Sequence, residues 1–234
     1  MKKVVWLDGQ NIFVVRKGFT TNTKISNGRP LVQTYTFSVK QWQLASTRKG
    51  FEMKEFFALD ESNCLDCPYS GNAGSGKCYT HKFMQYTGFL SMLRSIKASE
   101  VTPLTSQKED IIEKMCTGSY VRFGTYGEPS LVPLYLIRRM AEASSTWTGY
   151  THQYNKRWAR EYNKYFMASA HNAVDAIEAK NKNYRSFIST THGGEKAVTC
   201  PASKEAGFKS NCASCGLCSG ILGKGKTNIK ILEH

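Results

Sequence analysis

No apolar segment opens this chain, and no uninterrupted apolar run in it approaches the ~20 residues needed to cross a bilayer. It begins Met1-Lys2-Lys3 and passes at once into the strand-like Val4-Val5-Trp6-Leu7, without the pattern of a secretory leader. A cytoplasmic location with no membrane partner is therefore the expectation. Internal repeats and low-complexity tracts are also missing, which excludes a repeat array. Acidic residues are scarce, with 18 against 32 lysines and arginines, so the formal charge is +14. A field of that sign favours nucleic acid, a nucleotide or another polyanion as partner, and its ordinary alternative is a well-solvated surface. There are only five histidines, and the last sits in Leu232-Glu233-His234, which reads as the remnant of a purification tag. At 234 residues and 41% hydrophobic composition the chain can bury one sizeable core.

Cysteine is what the chain does have. Seven of its eight cysteines fall into two sets: Cys64, Cys67 and Cys78 in the first half, and Cys200, Cys212, Cys215 and Cys218 near the end, with Cys116 apart. Thiolates are soft anionic ligands, and cysteines two residues apart can wrap one metal centre because a short turn brings their sulfurs together. Cys212, Cys215 and Cys218 form C-x2-C-x2-C, a run frequent around 4Fe-4S clusters, with Cys200 as a fourth ligand. Four thiolates also close a tetrahedral zinc site, and disulfides or free thiols remain a third reading. In the first set, Gly71, Gly74 and Gly76 would let Cys78 fold back toward Cys64 and Cys67 and leave one coordination position open. The same loop could instead become a zinc site closed by His81 or Cys116.

The pattern predicts strands at 4–7, 31–39, 51–59, 120–124, 148–151, 165–169, 184–189 and 197–199, and helices near 82–97, 106–115, 131–140, 156–164 and 172–181. That alternation points to parallel β/α units in a partial or complete β/α barrel, with an open doubly wound sheet as the alternative. The organisation read from it is an N-terminal β element over 1–50, a barrel-like core over 51–199, a Cys-rich metal loop over 200–231 and the tag at 232–234. Function in such folds gathers at the carboxyl ends of strands. Those ends carry the first cysteine set, Gly127-Glu128, His152, His171, His192 and Cys200. The densest cationic and aromatic mixture is Lys156-Arg157-Trp158-Ala159-Arg160-Glu161-Tyr162-Asn163-Lys164-Tyr165, suited to phosphates and stacked bases or, equally, to a helix with its aromatics in the core.

The loop ending in Cys78-Tyr79, followed by a helix and then by Val121-Arg122-Phe123-Gly124-Thr125-Tyr126-Gly127-Glu128-Pro129, resembles the core of radical S-adenosylmethionine enzymes. The resemblance covers roughly residues 51–220. It implies that Cys64, Cys67 and Cys78 hold a 4Fe-4S cluster whose free iron takes S-adenosylmethionine. Gly127, Glu128 and Pro129 would then contact the cofactor's amino group, with Tyr126 in place of the motif's first glycine. It further implies an auxiliary cluster on Cys200, Cys212, Cys215 and Cys218. The spacing here is C-x2-C-x10-C, where the family has C-x3-C-x2-C. The chain is also similar to small bacteriophage proteins with comparable Cys-Tyr and C-terminal Cys-rich signatures. The leading expectation is an iron-sulfur enzyme acting on a nucleotide or nucleic-acid base. The alternatives are a zinc-stabilised nucleic-acid-binding protein without catalysis, and a zinc-bearing hydrolase or base-exchange enzyme using Glu128 or Asp175.

Overall fold

The computed structural model describes residues 2–72, 74–190 and 196–232. The chain opens with β1 (Lys2–Asp8) and β2 (Asn11–Gly18), an antiparallel hairpin whose two-residue loop begins with Gly9 at φ +54°. Trp6 and Phe13 face each other across it with stacked rings 4.9 Å apart. β3 (Leu31–Ser38) pairs antiparallel with β2 and parallel with β4 (Tyr120–Tyr126), which pairs parallel with β5 (Thr146–Thr148). These strands form one five-stranded sheet in sequence order.

Its two faces are read directly from strand alternation. Val4, Trp6, Phe13, Val15, Val121 and Phe123 point to one side and pack with α5 (Ser106–Cys116) and α6 (Leu134–Ala143). Val5, Ile12, Val14, Tyr35 and Phe37 point to the other and meet α2 (Met53–Phe57) and α4 (Phe83–Arg94). Between β3 and α2 lies α1 (Val39–Thr47), started by a capping box in which Ser38 Oγ accepts from Gln41 N at 3.0 Å and Gln41 Oε1 accepts from Ser38 N at 3.1 Å. After α2 comes the single turn α3 (Glu61–Cys64).

The second five-stranded sheet has the order β6-β7-β8-β10-β9 and is parallel throughout. Its strands are β6 (Tyr150–Thr151), β7 (Met167–Ala170), β8 (Ser186–Thr190), β9 (Val198–Thr199) and β10 (Ile229–Leu232). α7 (Ala173–Asn181) connects β7 to β8, and α8 (Cys212–Cys215) lies between β9 and β10. Only Gly149 separates β5 from β6, so the chain leaves one sheet and enters the other within a single extended stretch. Gly149 N donates to Cys218 O at 3.1 Å, and Gly149 O accepts from Met167 N at 3.0 Å.

The architecture is thus mixed α/β with parallel segments. No complete barrel is formed among the described residues, because β1 and β9 are edge strands of separate sheets. Residues 51–59 are a further departure from expectation. They hold a helix rather than a strand, because Met53, Phe56 and Phe57 recur at the three- and four-residue spacing of a helical face and bury into the second core. The basic segment is a 3-10 helix, Arg157–Lys164. Leu232, set aside with the terminal residues, ends β10 opposite Thr190. No helix among the described residues is long and apolar enough to cross a membrane.

Candidate metal centres

The first cysteine set is assembled by a loop folded onto a buried carboxylate. Asp60 accepts from Gly71 N at 2.8 Å and Asn72 N at 2.9 Å, which draws the start of the glycine spacer back against α2. A Cβ at Gly71 would come within 2.3 Å of Phe57 O, so only glycine allows that approach. Cys78 N then donates to Tyr69 O at 3.2 Å, returning the third cysteine toward the first two. Between Cys64 and Cys67 the chain reverses at Leu65, whose φ of +53° costs a non-glycine residue on the order of 1–2 kcal/mol.

The three thiols lie within electrostatic reach of one another. Burial pushes the Cys64 thiol well up, and Asp60, Cys67 and Cys78 add to the effect. Cys67 is pushed up to about 12, mainly by burial, and Cys78 is raised for the same reason. Two polar groups face these sulfurs: Asn63 Nδ2, which donates to Cys64 Sγ at 3.5 Å, and the Thr80 hydroxyl, which shares a hydrogen bond with Cys78 Sγ at 3.1 Å.

His152 and His171 join this set from the carboxyl ends of β6 and β7. His152 Nε2 is 3.9 Å from Cys67 Sγ, and its ring stacks on His171 with centroids 5.3 Å apart. Burial first, and then the neighbouring His171, lower His152 to about 4, so it is neutral near pH 7. Tyr69 meets His171 edge-on at 4.5 Å. His192 lies outside the described residues.

Glu128 follows β4 and is buried. Its Oε1 accepts from Ser130 N at 3.0 Å and Ser130 Oγ at 2.6 Å, and His152 N donates to Oε2 at 3.2 Å. A carboxylate accepts about four hydrogen bonds, and three of those places are taken by protein donors. It caps the 3-10 turn Pro129–Leu131 and holds the end of β6, a positioning role. Gly127 precedes it with φ +77°, and a Cβ there would lie 2.5 Å from Thr36 O and 3.1 Å from Asn63 O. Asp175 is likewise engaged, accepting from His171 N at 2.9 Å in the first turn of α7.

Both expected fourth ligands for a closed first site have other neighbours in the fold. Cys116 is packed in the α5–α6 core, where burial pushes its thiol up to about 12. His81 stacks on Phe57 at 3.8 Å, its Nδ1 lies 3.1 Å from Gly76 O, and its Nε2 is 3.9 Å from Asp60. His152 is the imidazole beside the sulfurs.

The second set is held by chain segments from several directions. Cys200 N donates to Lys230 O at 2.8 Å, and Cys212 N and Ala213 N donate to Lys24 O and Ile25 O, each at 3.0 Å. Arg185 clamps the loop, donating to Leu217 O at 2.9 Å, Gly220 O at 2.8 Å and Thr227 O. All four thiols feel one another. Burial raises Cys218 to about 12, with Cys200, Cys212 and Cys215 adding to the rise and the nearby Tyr150 hydroxyl opposing it. All eight cysteines are free thiols. Among the described residues no three Cys, His, Asp or Glu side chains converge in metal-ligating geometry. The donor chemistry nevertheless fits a thiophilic metal at both places: buried thiols that resist ionising together are relieved by a cation among them.

Asn63, Thr80, Tyr150 and Arg185 carry no motif that distinguishes them in sequence. Arg122 had a usable signal, a charge at the middle of an otherwise apolar strand. Cavities of about 400 Å³, between Trp147 and Lys224, and about 270 Å³, near Lys17 and Met115, are lined by no cysteine. Comparison of the chain with family models, curated proteins and solved structures finds no match.

Proposed function

We propose that this chain is an iron-sulfur protein of radical S-adenosylmethionine-like type, acting on a nucleotide or nucleic-acid base. Cys64, Cys67 and Cys78 hold a cluster with one open position, and Cys200, Cys212, Cys215 and Cys218 hold a second. What supports this reading is the division of seven cysteines into a three-thiol and a four-thiol set, each made of covered thiols that act on one another electrostatically, with Cys116 left in the core. A cluster with an open iron supplies one-electron chemistry to a bound ligand such as S-adenosylmethionine. The chain's own residues shape that position. Asn63 and Thr80 donate toward Cys64 and Cys78, which tunes thiolate ligands, and Glu128 fixes the backbone of His152 beside Cys67. The basic surface supports a phosphate-bearing substrate.

Anaerobic purification tests the reading. Brown protein absorbing near ~400 nm, with iron and sulfide in amounts matching one or two clusters, is the expected result. Serine at Cys212, Cys215 and Cys218 should remove the second cluster and leave the first; colourless protein carrying stoichiometric zinc would overturn the assignment.

The approach of His152 to Cys67 favours a second reading, in which Cys64, Cys67, Cys78 and His152 close a zinc site in a nucleic-acid-binding protein without catalysis. Metal analysis separates the two.

A further inference from the structure

Along β4, Val121 and Phe123 face the core, while Tyr120, Arg122 and Gly124 face the other way. On that second face Arg122 stands between the two cysteine sets. Its Nη2 donates to the phenol oxygen of Tyr79 at 3.0 Å, and Tyr79 directly follows Cys78. Its Cζ is 5.9 Å from the Tyr79 ring centroid. Its charge also acts on Cys212, Tyr120 and Tyr150. Arg122 is neither fully buried nor fully exposed, and its bond to Tyr79 lies where solvent reaches it.

That position leaves a cation short of acceptors. A guanidinium carries a rigid fork of N–H donors, and withdrawing it even partly from water without anionic partners is costly. Tyr79 takes one donor, and among the described residues no carboxylate lies within ion-pair distance of Arg122. Two other arginines show the contrast. Arg139 meets Glu109, Asp110 and Glu113, and Arg185 meets three backbone carbonyls. We infer that Arg122 is the anchor for an oxyanion, a phosphate or carboxylate of a small ligand lodged between the two cysteine sets, with Tyr79 and Tyr150 flanking it. The fork geometry of guanidinium matches both groups, and the tyrosine rings offer flat surfaces to the rest of the ligand. The inference deepens the function proposed above by naming the ligand's chemistry, and rests on it only for the closeness of that ligand to a cluster.

Calorimetry on the full chain, purified anaerobically, tests this with two matched probe pairs: adenosine monophosphate against adenosine, and 3-phenylpropionate against 3-phenylpropanol. One anionic probe should bind and its neutral partner should not, and the pair that responds identifies phosphate or carboxylate. Arg122→Gln should weaken that probe roughly ten- to a hundredfold, with metal content unchanged. Tyr79→Phe keeps the guanidinium and should change binding less than about threefold. Should Arg122→Gln fail to fold, Arg122→Lys keeps the charge without the fork and should still lose more affinity than Tyr79→Phe. No binding by either anion, equal binding by Arg122→Gln, or equal losses in Arg122→Lys and Tyr79→Phe would overturn the assignment. So would an Arg122→Gln protein that loses metal from the second set while binding the anion normally, since the guanidinium would then serve Cys212. Iron-free protein that still binds the anion through Arg122 would refute the cluster reading and leave the anchor standing.

Discussion

His152 Nε2 lies 3.9 Å from Cys67 Sγ, and Glu128 holds that histidine in place through its backbone N–H. Three thiolates suffice for an open cluster, so His152→Ala should keep the iron and sulfide of the first set at the wild-type amount. Loss of that metal by tenfold or more, the scale on which a removed ligand or its support lowers affinity, would make His152 a ligand and the site a closed Cys3His centre. Metal analysis of the anaerobically purified variant reads the outcome.

Glu128→Gln should destabilise the fold. The substituted amide presents N–H donors to Ser130 N and His152 N, which are donors themselves, and at least one buried group loses its partner. The expected cost is roughly 1–3 kcal/mol, measured by urea unfolding. A loss below about 0.5 kcal/mol would mean that the bonds to Ser130 and His152 contribute little.

Arg185→Leu removes donors from Leu217 O, Gly220 O and Thr227 O in the loop of the second set. Stability should fall by roughly 2–4 kcal/mol, since the carbonyls are left unsatisfied inside the fold. Metal bound by Cys200, Cys212, Cys215 and Cys218 should drop, while the first set keeps its own. Equal loss from both sets would show that Arg185 acts on the whole fold.

Cys116 should resist alkylation in the folded protein. Burial holds its thiol at about 12, so from about pH 7 to about pH 10 almost no thiolate forms, and the core around it excludes the reagent. Mass spectrometry should find Cys116 labelled only after denaturation. Labelling that climbs with pH in the native state would place the residue in a more open setting.

Polynucleotide binding, if the basic segment carries it, should depend on Arg157 and Arg160 more than on their neighbours. Lys156 pairs with Asp66 at 2.5 Å and Lys164 with Glu161 at 2.6 Å, so part of their charge is already neutralised. Each arginine replaced by glutamine should reduce the slope of log affinity against log salt by about one. Filter binding across a salt series checks this; an unchanged slope would leave the segment as ordinary surface.

Legibility of the fold followed the range of the interactions involved. Helices near 106–115 and 172–181 could be read because their signals are local, Thr105 and Asn172 accepting from backbone N–H groups in the first turn. β2 has a local signal only in the Asp8-Gly9 of its hairpin, and the strand pattern does not extend to it. Residues 51–59 are ambiguous because Phe56 and Phe57, side by side, fit a strand and a helix alike until Met53 is counted with them.

By itself the sequence determined the division of the cysteines into two sets and the glycine content of the first set's loop, since both are local properties of the chain. It also determined the strand alternation that separates the two cores. Tertiary structure alone decided which imidazole approaches Cys67, whether Glu128 is free, and what stands between the two sets. Those depend on parallel pairings between distant segments, such as β4 with β5 and β6 with β7. Such pairings bring Glu128 to His152, and the return of the cysteine loop brings Tyr79 to Arg122 across 43 residues; no local signal encodes contacts that only the assembled fold creates.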